Sequence, residues 1–364
     1  MIEIVLATNL PETGYRFLCF SDLHLDDYGQ DINQPGKYRD RMEILVKIFA
    51  YAVENEIADI WCLGDLFHSR TKISIPLIHD FSNFLDAVYE NCPGVVLNVV
   101  LGNHDSYLRD PEMNSLSAFR RGNFKTIDSI TYFKNKRIVA VPFGNFSLNS
   151  AAECPDVLFF MHTEFLGAEN NGYKVMKSDY DPKLFKSGVV LSGHYHKMQF
   201  VTDNVMYVGA AIQHNFGEAG NPTVFWDCVL DGNKLYMKSV DCVSPRYVIL
   251  NISNMAVEEF GQKHISINRE EVLGNYVRLV ANKEDYRMAV DIAKEFFGMC
   301  RSVEIEIKQP EVSDAVNPIV PELVEKKVID PVVEYLKIKK MDDPEYLAIA
   351  REIIQEVENE GGKL

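Results

Sequence analysis

Residues 95–105 read Val-Val-Leu-Asn-Val-Val-Leu-Gly-Asn-His-Asp, a short apolar run followed at once by polar side chains. A short continuous apolar run of this kind predicts a buried β-strand. The same arrangement occurs at residues 17–20, which precede Asp22, and at residues 59–63, which precede Asp65. Open α/β sheets bind their ligands beyond the carboxyl ends of their strands, so we expect these polar groups to meet at one sheet edge.

Segments with a helical period separate the apolar runs. Residues 38–55 carry apolar side chains on one stripe, and a second helix is predicted to begin with Ser74 as its cap and Pro76 in its first turn. Three further strands are predicted, at residues 137–141, 157–161 and 189–191. Alternation of strands and helices predicts an α/β fold in which helices cover both faces of a mostly parallel sheet.

The pattern changes in the last third of the chain. From about residue 228 it indicates hairpin-like strands, then a helix near 286–297 and a strand near 303–307, which together predict a smaller α+β domain. Residues 308–321 have no period and read as a linker. Two amphipathic helices are predicted after it, and they have to bury their apolar faces either on this chain or on a partner.

Composition places the chain among globular proteins of ordinary make-up. It has 364 residues, of which 47% are hydrophobic and 25% charged, enough for two domains. Neither a membrane-spanning run nor a secretory signal is recognised, so we expect a cytoplasmic protein with no membrane association. The seven cysteines are dispersed and form no Cys-x-x-Cys pair, which predicts reduced, buried thiols.

The formal charge of −16 argues against a basic surface that grips nucleic acid without regard to sequence. Bound divalent cations would cancel part of this negative charge at the place where a phosphate would bind. A partner subunit could also supply a basic groove.

The polar groups after the predicted strands are the ligand types of a site for two divalent cations. Such a site needs about seven converging side chains, and hard cations that handle phosphate favour carboxylate, amide and imidazole groups. Asp65 has two oxygens with which to bridge two metals, and Asn103 offers a neutral carbonyl oxygen. The candidate ligands are Asp22, His24, Asp65, Asn103, His162, His194 and His196.

Spacing supports the pairing of these ligands. Asp22 and His24 stand at i and i+2, which point to the same side of an extended strand. His194 and His196 have the same spacing, about 7 Å along an extended chain, so that each could reach a different metal. Any one of these motifs is more often structural than ligating, but six of the nine histidines fall in such clusters. The joint pattern therefore favours a metal site.

Five motifs follow the predicted strands: Asp22-Leu23-His24, Gly64-Asp65, Gly102-Asn103-His104-Asp105, His162 and Gly193-His194-Tyr195-His196. Together they resemble the calcineurin-like metallophosphoesterase superfamily, over residues 16 to about 230. The resemblance implies a sandwich of mixed β-sheets flanked by helices. Within this span, residues 64–68, Gly-Asp-Leu-Phe-His, resemble the DNA-repair nuclease branch, with its SbcD-type nucleases and phage recombination endonucleases. Protein phosphatases of the superfamily carry Asp-Arg-Gly just downstream, where this chain has His-Ser-Arg.

The resemblance also implies a role for each site residue. The first metal would be held by Asp22, His24, Asp65 and His196, and the second by Asp65, Asn103, His162 and His194, with manganese as the typical metal. His104 would be catalytic rather than a ligand, and Asp105 would orient its ring. His68 and His214 would face substrate. A capping or packing role for His68, and a loop-structural role for His214, are the alternatives.

The order of parts in this branch implies three regions: residues 1–228 as the nuclease domain, 229–308 as an α+β capping domain that orients DNA, and 309–364 as a linker and helical segment. In the branch, the helical segment docks on the coiled coil of an SMC-like ATPase subunit. The implied assembly is a homodimer within a heterotetramer. If the protein comes from a phage, its location would be the host cytoplasm.

The resulting expectation is a dinuclear-metal DNA phosphodiesterase, an exonuclease or endonuclease of recombination, repair or replication. The two cations would lower the pKa of a shared water toward about 7, and His104 would stabilise or protonate the leaving oxygen. Because ligating histidines must be neutral, metal occupancy is expected to fall below about pH 6. One alternative is a phosphodiesterase or phosphatase of the same superfamily that acts on small molecules. A second is a non-catalytic scaffold, although such proteins lose ligands and none is missing here.

Overall fold

A computed structural model describes most of residues 2–308. The described ranges are 2–26, 37–107, 110–119, 121–144, 157–170, 173–185, 188–255, 257–259, 262–265 and 267–308. The predicted linker and terminal helices of residues 309–364 lie outside the described residues.

Strands dominate the described chain. In chain order they are β1 Glu3–Leu6, β2 Tyr15–Phe20, β3 Asp59–Cys62, β4 Val96–Val100, β5 Ser106–Tyr107, β6 Asp110–Asn114, β7 Phe124–Ile127, β8 Thr131–Phe133, β9 Ile138–Val141, β10 Leu158–His162, β11 Glu169–Asn170, β12 Tyr173–Lys174, β13 Val189–Gly193, β14 Gln199–Thr202, β15 Val205–Tyr207, β16 Val224–Asp231, β17 Lys234–Asp241, β18 Tyr247–Asn251, β19 Val257–Glu259, β20 Gln262–His264, β21 Tyr276–Ala281 and β22 Ser302–Ile307. The α-helices are α1 Lys37–Glu54, α2 Ile75–Asn91, α3 Ile252–Met255, α4 Arg269–Val272 and α5 Tyr286–Phe296.

Two mixed sheets form the main body of the fold. The first has seven strands in the order β1-β17-β16-β2-β3-β4-β7, and the second has six in the order β14-β15-β13-β10-β9-β8. Aromatic side chains of the two sheets pack on each other: the Phe160 ring of β10 lies 4.8 Å from Trp61 of β3 and 5.5 Å from Phe17 of β2. The expected α/β sandwich of mixed sheets is confirmed.

Helices α1 and α2 cover the outer face of the first sheet. The apolar stripe of α1 is buried, Ile48 and Ala52 completely, and α2 buries Phe81 and Leu85 beside it. The predicted start of α2 is observed, because the Ser74 side chain accepts a hydrogen bond from the Leu77 backbone N–H at 3.3 Å. The interface stabilises the sheet by removing apolar surface from water.

The hairpin β16–β17 belongs to the first sheet. Strand β16 pairs antiparallel with β2, and β17 pairs parallel with β1. The expected domain boundary after residue 228 therefore falls inside β16, and the strands up to Asp241 extend the main sheet. A separate sheet, β18-β21-β22, starts at Tyr247 and packs on α5 with its own apolar cluster.

No described helix is long and apolar enough to cross a bilayer. The six cysteines among the described residues, at positions 19, 62, 92, 228, 242 and 300, are free thiols. Burial raises the pKa of the Cys62 and Cys228 thiols well above the ordinary value, so these side chains are unreactive core residues.

Gly193 lies where the end of β13 meets the first sheet. A Cβ atom at this position would stand 1.9 Å from the Ser21 Oγ and 2.3 Å from the Leu63 carbonyl oxygen. Contacts that short are impossible, so a larger residue has to push the two sheets apart where the polar groups gather.

We predict that Gly193→Ala destabilises the fold by about 1–3 kcal/mol, the usual cost of overpacking a filled interior. Urea unfolding measures the change as a lower midpoint. Gly94→Ala is the matched control, because nothing lies within 4 Å of a Cβ built there. Equal midpoints for both variants would contradict the close approach.

Candidate metal centre

Five strand ends converge on one site. In the first sheet, β2, β3 and β4 lead to Asp22, Asp65 and Asn103, and in the second sheet β10 ends at His162 and β13 leads to His194. Strands β2, β3 and β4 run parallel, as do β10 and β13, so the carboxyl ends within each group lie side by side. The structure thus brings together groups that are up to 172 positions apart in the chain.

The first group of four ligand candidates is Asp22, His24, Asp65 and His196, here called quartet 1. The His24 Nε2 lies 3.3 Å from the His196 Nε2, 3.6 Å from the Asp65 Oδ2 and 4.0 Å from the Asp22 Oδ1. The His196 Nε2 lies 3.8 Å from the Asp22 Oδ1. Four donor atoms therefore face one small volume.

The second group, quartet 2, consists of Asp65, Asn103, His162 and His194. The His162 Nε2 lies 3.3 Å from the Asp65 Oδ2 and 3.0 Å from the Asn103 Oδ1. The Asn103 Oδ1 lies 2.9 Å from the His194 Nδ1. One carboxylate oxygen of Asp65 belongs to both quartets, as expected of a bridging ligand.

The donor set fits two divalent cations. Ligands at bond lengths near 2.1 Å in octahedral geometry lie about 3 Å from one another. The donor atoms of both quartets approach this spacing, and carboxylate, amide and imidazole groups suit first-row divalent metals. Three of these residues have donor atoms that all lie within 4.8 Å of one another: Asp22, His24 and Asp65.

Hydrogen bonds on the far side of two imidazole rings turn the correct nitrogen toward the site. The His162 Nδ1–H donates to the Leu63 carbonyl at 2.7 Å, and the His196 Nδ1–H donates to the Glu218 Oε1 at 2.8 Å. Each ring therefore turns its Nε2 toward the quartets, the arrangement that orients metal-binding histidines in proteins.

Two of the ligand imidazoles are neutral, whereas a third holds a proton that a cation has to displace. Burial and the neighbouring imidazoles lower the pKa of His24, and burial together with His162 lowers the pKa of His194 to about 3, so both rings are neutral. Burial opposes the charged form of His162, but the Asp65 and Asp22 carboxylates together with the Leu63 carbonyl raise the pKa of His162 to about 9. Burial likewise opposes the charged form of Asp65, but His162 and His104 lower the pKa of Asp65 to about 2.

The backbone at the site is strained. Asp22, His24, Asp65 and His194 have φ values of 52°, 51°, 52° and 96°, in the left-handed region that non-glycine residues rarely adopt. The expectation of extended chain through the Asp-x-His and His-x-His motifs is therefore wrong, since β2 ends at Phe20 and β13 at Gly193. Turns rather than the strand period aim these side chains, and such strain is typical of functional sites.

His104 and Asp105 differ from the expected pair. The His104 Nδ1–H donates to the His68 carbonyl at 2.5 Å, and the Asp105 carboxylate accepts backbone N–H groups of Phe67 and Gly102 at 2.9 and 3.0 Å. Asp105 therefore joins two loops and does not orient the His104 ring. Burial and the negative charge of Asp65 raise the pKa of Asp105 to about 7, although the hydrogen bonds from these backbone N–H groups act to lower it.

His68 lies beside His104 at the rim of quartet 1. Its ring stacks on the His104 ring at 5.3 Å, and its Nδ1 lies 3.3 Å from the His24 Nδ1. Burial and the charge of His104 lower the pKa of His68 to about 4. The ring is close enough to contact a substrate held at His104.

Both ring nitrogens of His214 are used within the protein. The Arg41 guanidinium, which has no acceptor, approaches the His214 Nδ1 at 2.8 Å, so the Nε2–H is the donor to the Asp22 carbonyl at 2.9 Å. His214 thus positions the Asp22 backbone. A role as metal ligand is excluded despite its closeness to His24 and His196.

Two functional residues, Glu218 and Arg41, gave no signal in the sequence. Glu218 accepts from His196 and from the backbone N–H of His214 at 2.8 Å, and Arg41 is completely buried, donating to the Leu23 carbonyl at 3.0 Å. Neither residue follows a strand of the sheet, so only their spatial neighbours identify them. His79 is exposed and contacts Asn83 in α2, outside the site.

Comparisons with known proteins agree with this geometry. The family model described as calcineurin-like phosphoesterase matches residues 15–198, half of the chain. Protein 244L of Invertebrate iridescent virus 6, a phosphoesterase by name, is 28% identical over 210 residues, 52% of this chain and 71% of its own length.

Two further viral proteins match more weakly. Protein 078R of Invertebrate iridescent virus 3, also a phosphoesterase by name, is 26% identical over 234 residues, 60% of this chain and 64% of its own. The uncharacterised protein R555 of Acanthamoeba polyphaga mimivirus is 22% identical over 59% of this chain and 17% of its own. This chain spans less than two thirds of either relative.

We predict that Glu218→Gln weakens metal binding at quartet 1 by about tenfold or more, because His196 loses the carboxylate that orients it. Calorimetric titration of the metal-free protein with Mn²⁺ measures the affinity. Glu169→Gln is the matched control, since Glu169 borders the same cleft but pairs with Lys197 at 2.9 Å. Unchanged affinity in Glu218→Gln would exclude the orienting role.

We also predict that metal affinity at quartet 2 rises with pH. Below about pH 9 the metal-free protein holds a proton on His162, and the cation has to displace it, so the association constant should rise about tenfold per pH unit. Titrations at about pH 6, 7 and 8, in buffers of different ionisation enthalpy, measure the affinity and the released proton. An affinity that does not change over this range would contradict the His162–Asp65 ion pair.

Proposed function

Because the chain belongs to the calcineurin-like phosphoesterase family, we propose that it is a dinuclear-metal phosphodiesterase that hydrolyses the DNA backbone, with manganese as the metal. The observation that carries the proposal is the pair of quartets that share the Asp65 Oδ2. All seven candidate ligands are present and assembled, which disfavours a non-catalytic scaffold.

The chemistry divides between the cations and the protein. When bound, two divalent cations supply Lewis acidity and a nucleophilic water at neutral pH. Quartets 1 and 2 would hold these cations, and the buried Asp22 and Asp65 carboxylates keep their geometry without freedom to turn.

His104 is the proton donor of the proposal. Its Nδ1–H is held by the His68 carbonyl, so Nε2 is the nitrogen available to a substrate. As an imidazolium, it donates to the leaving oxygen, on which negative charge accumulates in the transition state. The His104 ring lies 4.7 Å from the ring of His24, a member of quartet 1.

Space on both sides of the site supports a polymeric substrate. A cleft of about 760 Å³ lies beside His196 and Glu218, and another of about 680 Å³ lies beside Asn103. His194 borders both clefts, so nucleotides on either side of a bound phosphodiester have room.

The charge of −16 favours the rival, a phosphodiesterase or nucleotide hydrolase for small substrates of the same family. The two viral relatives named as phosphoesterases fit both possibilities. The Gly-Asp-Leu-Phe-His motif of residues 64–68 and its stacked His68–His104 pair support the nuclease.

The proposal includes assembly with a coiled-coil ATPase of the SMC type, as a homodimer within a heterotetramer. An acidic chain lacks a broad basic surface, and a partner that supplies one would explain DNA binding. Residues 309–364 would form the docking segment. Co-purification with such an ATPase from the same genome, lost when residues 309–364 are deleted, is the expected result.

We predict manganese-dependent cleavage of both single-stranded and double-stranded oligodeoxynucleotides by the purified full chain. His104→Ala should lower kcat by about 10²–10⁴, the usual contribution of a general acid, with unchanged metal content. Metal analysis and nuclease assays on one preparation measure both quantities. His79→Ala, in the exposed part of α2, is the control and should keep full activity.

Two results would overturn parts of the proposal. Turnover of a chromogenic diester without any cleavage of DNA would establish the small-substrate enzyme instead. Loss of metal from His104→Ala would make His104 a ligand and remove its role as proton donor.

A further inference from the structure

The cleft beside quartet 2 contains a positively charged side chain, Arg70, that the candidate metal centre does not use. Its volume is about 680 Å³, and it is bordered by Asn103 and His194 of quartet 2 and by Arg70. Arg70 follows the Gly64–His68 motif by two residues. The cleft therefore borders quartet 2, next to which the proposed function places the scissile phosphate.

Arg70 has no partner among the described residues. Its Nε is buried and makes no hydrogen bond, and no ion pair to the guanidinium is found in the described part of the chain. A guanidinium is always charged and offers five donors in a plane, so a buried donor without an acceptor carries a desolvation cost. A ligand that supplies oxygen acceptors would remove this cost.

Other charged groups in the cleft do not provide that acceptor. Glu164 accepts the Tyr195 hydroxyl at 2.5 Å, and Asp179 and Lys177 also border the cleft. The two carboxylates balance the formal charge of the two basic groups, Arg70 and Lys177, but neither carboxylate forms a described ion pair with Arg70. Arg70 is the basic group with a planar fork, which matches the oxygens of a phosphate in two parallel hydrogen bonds.

Three apolar side chains, Phe143, Leu166 and Met176, also line the cleft and are here called its apolar wall. The Phe143 ring lies 6.2 Å from the His194 ring at an interplanar angle of 28°, and Met176 is 80% exposed. Flat apolar surfaces next to a phosphate-binding cation are typical of sites where nucleobases stack.

We infer that this cleft is a nucleotide subsite, in which Arg70 binds a backbone phosphate of the DNA strand and the wall of Phe143, Leu166 and Met176 contacts a base. The inference rests on the proposed function, because it takes a DNA strand as the ligand. It adds a specificity-determining residue outside the two quartets.

The test measures binding of a short fluorescent single-stranded oligodeoxynucleotide to the metal-free full chain by anisotropy, at salt concentrations of roughly 50 to 200 mM. Arg70→Ala should raise Kd about tenfold and lower the slope of log K against log salt by about 0.7, the loss of one phosphate contact. Arg70→Lys should keep the slope while binding more weakly, because lysine retains the charge without the fork.

Met176→Ala tests the wall independently of charge. The side chain is exposed, so its removal leaves the fold intact, and it should raise Kd without changing the salt slope. Arg269→Ala is the matched arginine control. The Arg269 side chain is 68% exposed and pairs with Glu295, and both residues lie far in sequence from those that line the cleft. Wild-type affinity and slope are expected for it.

An unchanged salt slope in a folded Arg70→Ala protein would overturn the inference, as would wild-type protein that does not bind the oligodeoxynucleotide. Because the assay contains no metal, it involves no turnover. A separate assay tests the proposed nuclease activity, which would be contradicted if the wild-type protein with Mn²⁺ did not cleave DNA.

Discussion

The Asp65 carboxylate is the interaction on which the rest of the site depends. Its Oδ1 accepts the His104 backbone N–H at 2.7 Å, and its Oδ2 faces both His24 and His162. A buried carboxylate is costly unless opposite charge and hydrogen bonds compensate it, and His162 provides that compensation in the metal-free protein. Cations would take over the same role, so one buried charge links folding to metal binding.

The surroundings of the quartets hold their geometry through backbone groups. Carbonyls of Leu63 and His68 accept the ring N–H groups of His162 and His104, and Asp105 joins the loops that follow β3 and β4. Backbone partners cannot rotate away as side chains do. The site is therefore preorganised by the same strand ends that build the sandwich, which is what a two-metal hydrolase requires.

The net charge of the chain and the local charges near the site have opposite effects on the binding of DNA. A chain with a net charge of −16 cannot attract DNA over a long distance, so recognition has to rely on local groups. In the proposed function, cations at the quartets and the Arg70 guanidinium, which has no partner in the part of the chain that the structure describes, would be such local groups. This arrangement explains how an acidic protein could act on a polyanion, and why a basic partner would increase its affinity.

Sequence reasoning identified an α/β fold and the seven candidate ligands, because apolar runs predict strands and the carboxyl ends of parallel strands lie at one edge. It gave the sandwich of mixed sheets only through the family resemblance, and its expectation of helices on both faces of one sheet is wrong, because the inner face of the first sheet packs on the second. It could not find Glu218 or Arg41, misjudged the partner of Asp105, and placed the end of the main sheet too early, inside β16. Those features depend on hydrogen bonds and strand pairings between distant segments, which leave no local periodicity. Tertiary structure alone decided which nitrogen each ring presents, and that the Asp65 Oδ2 stands between two groups of ligands.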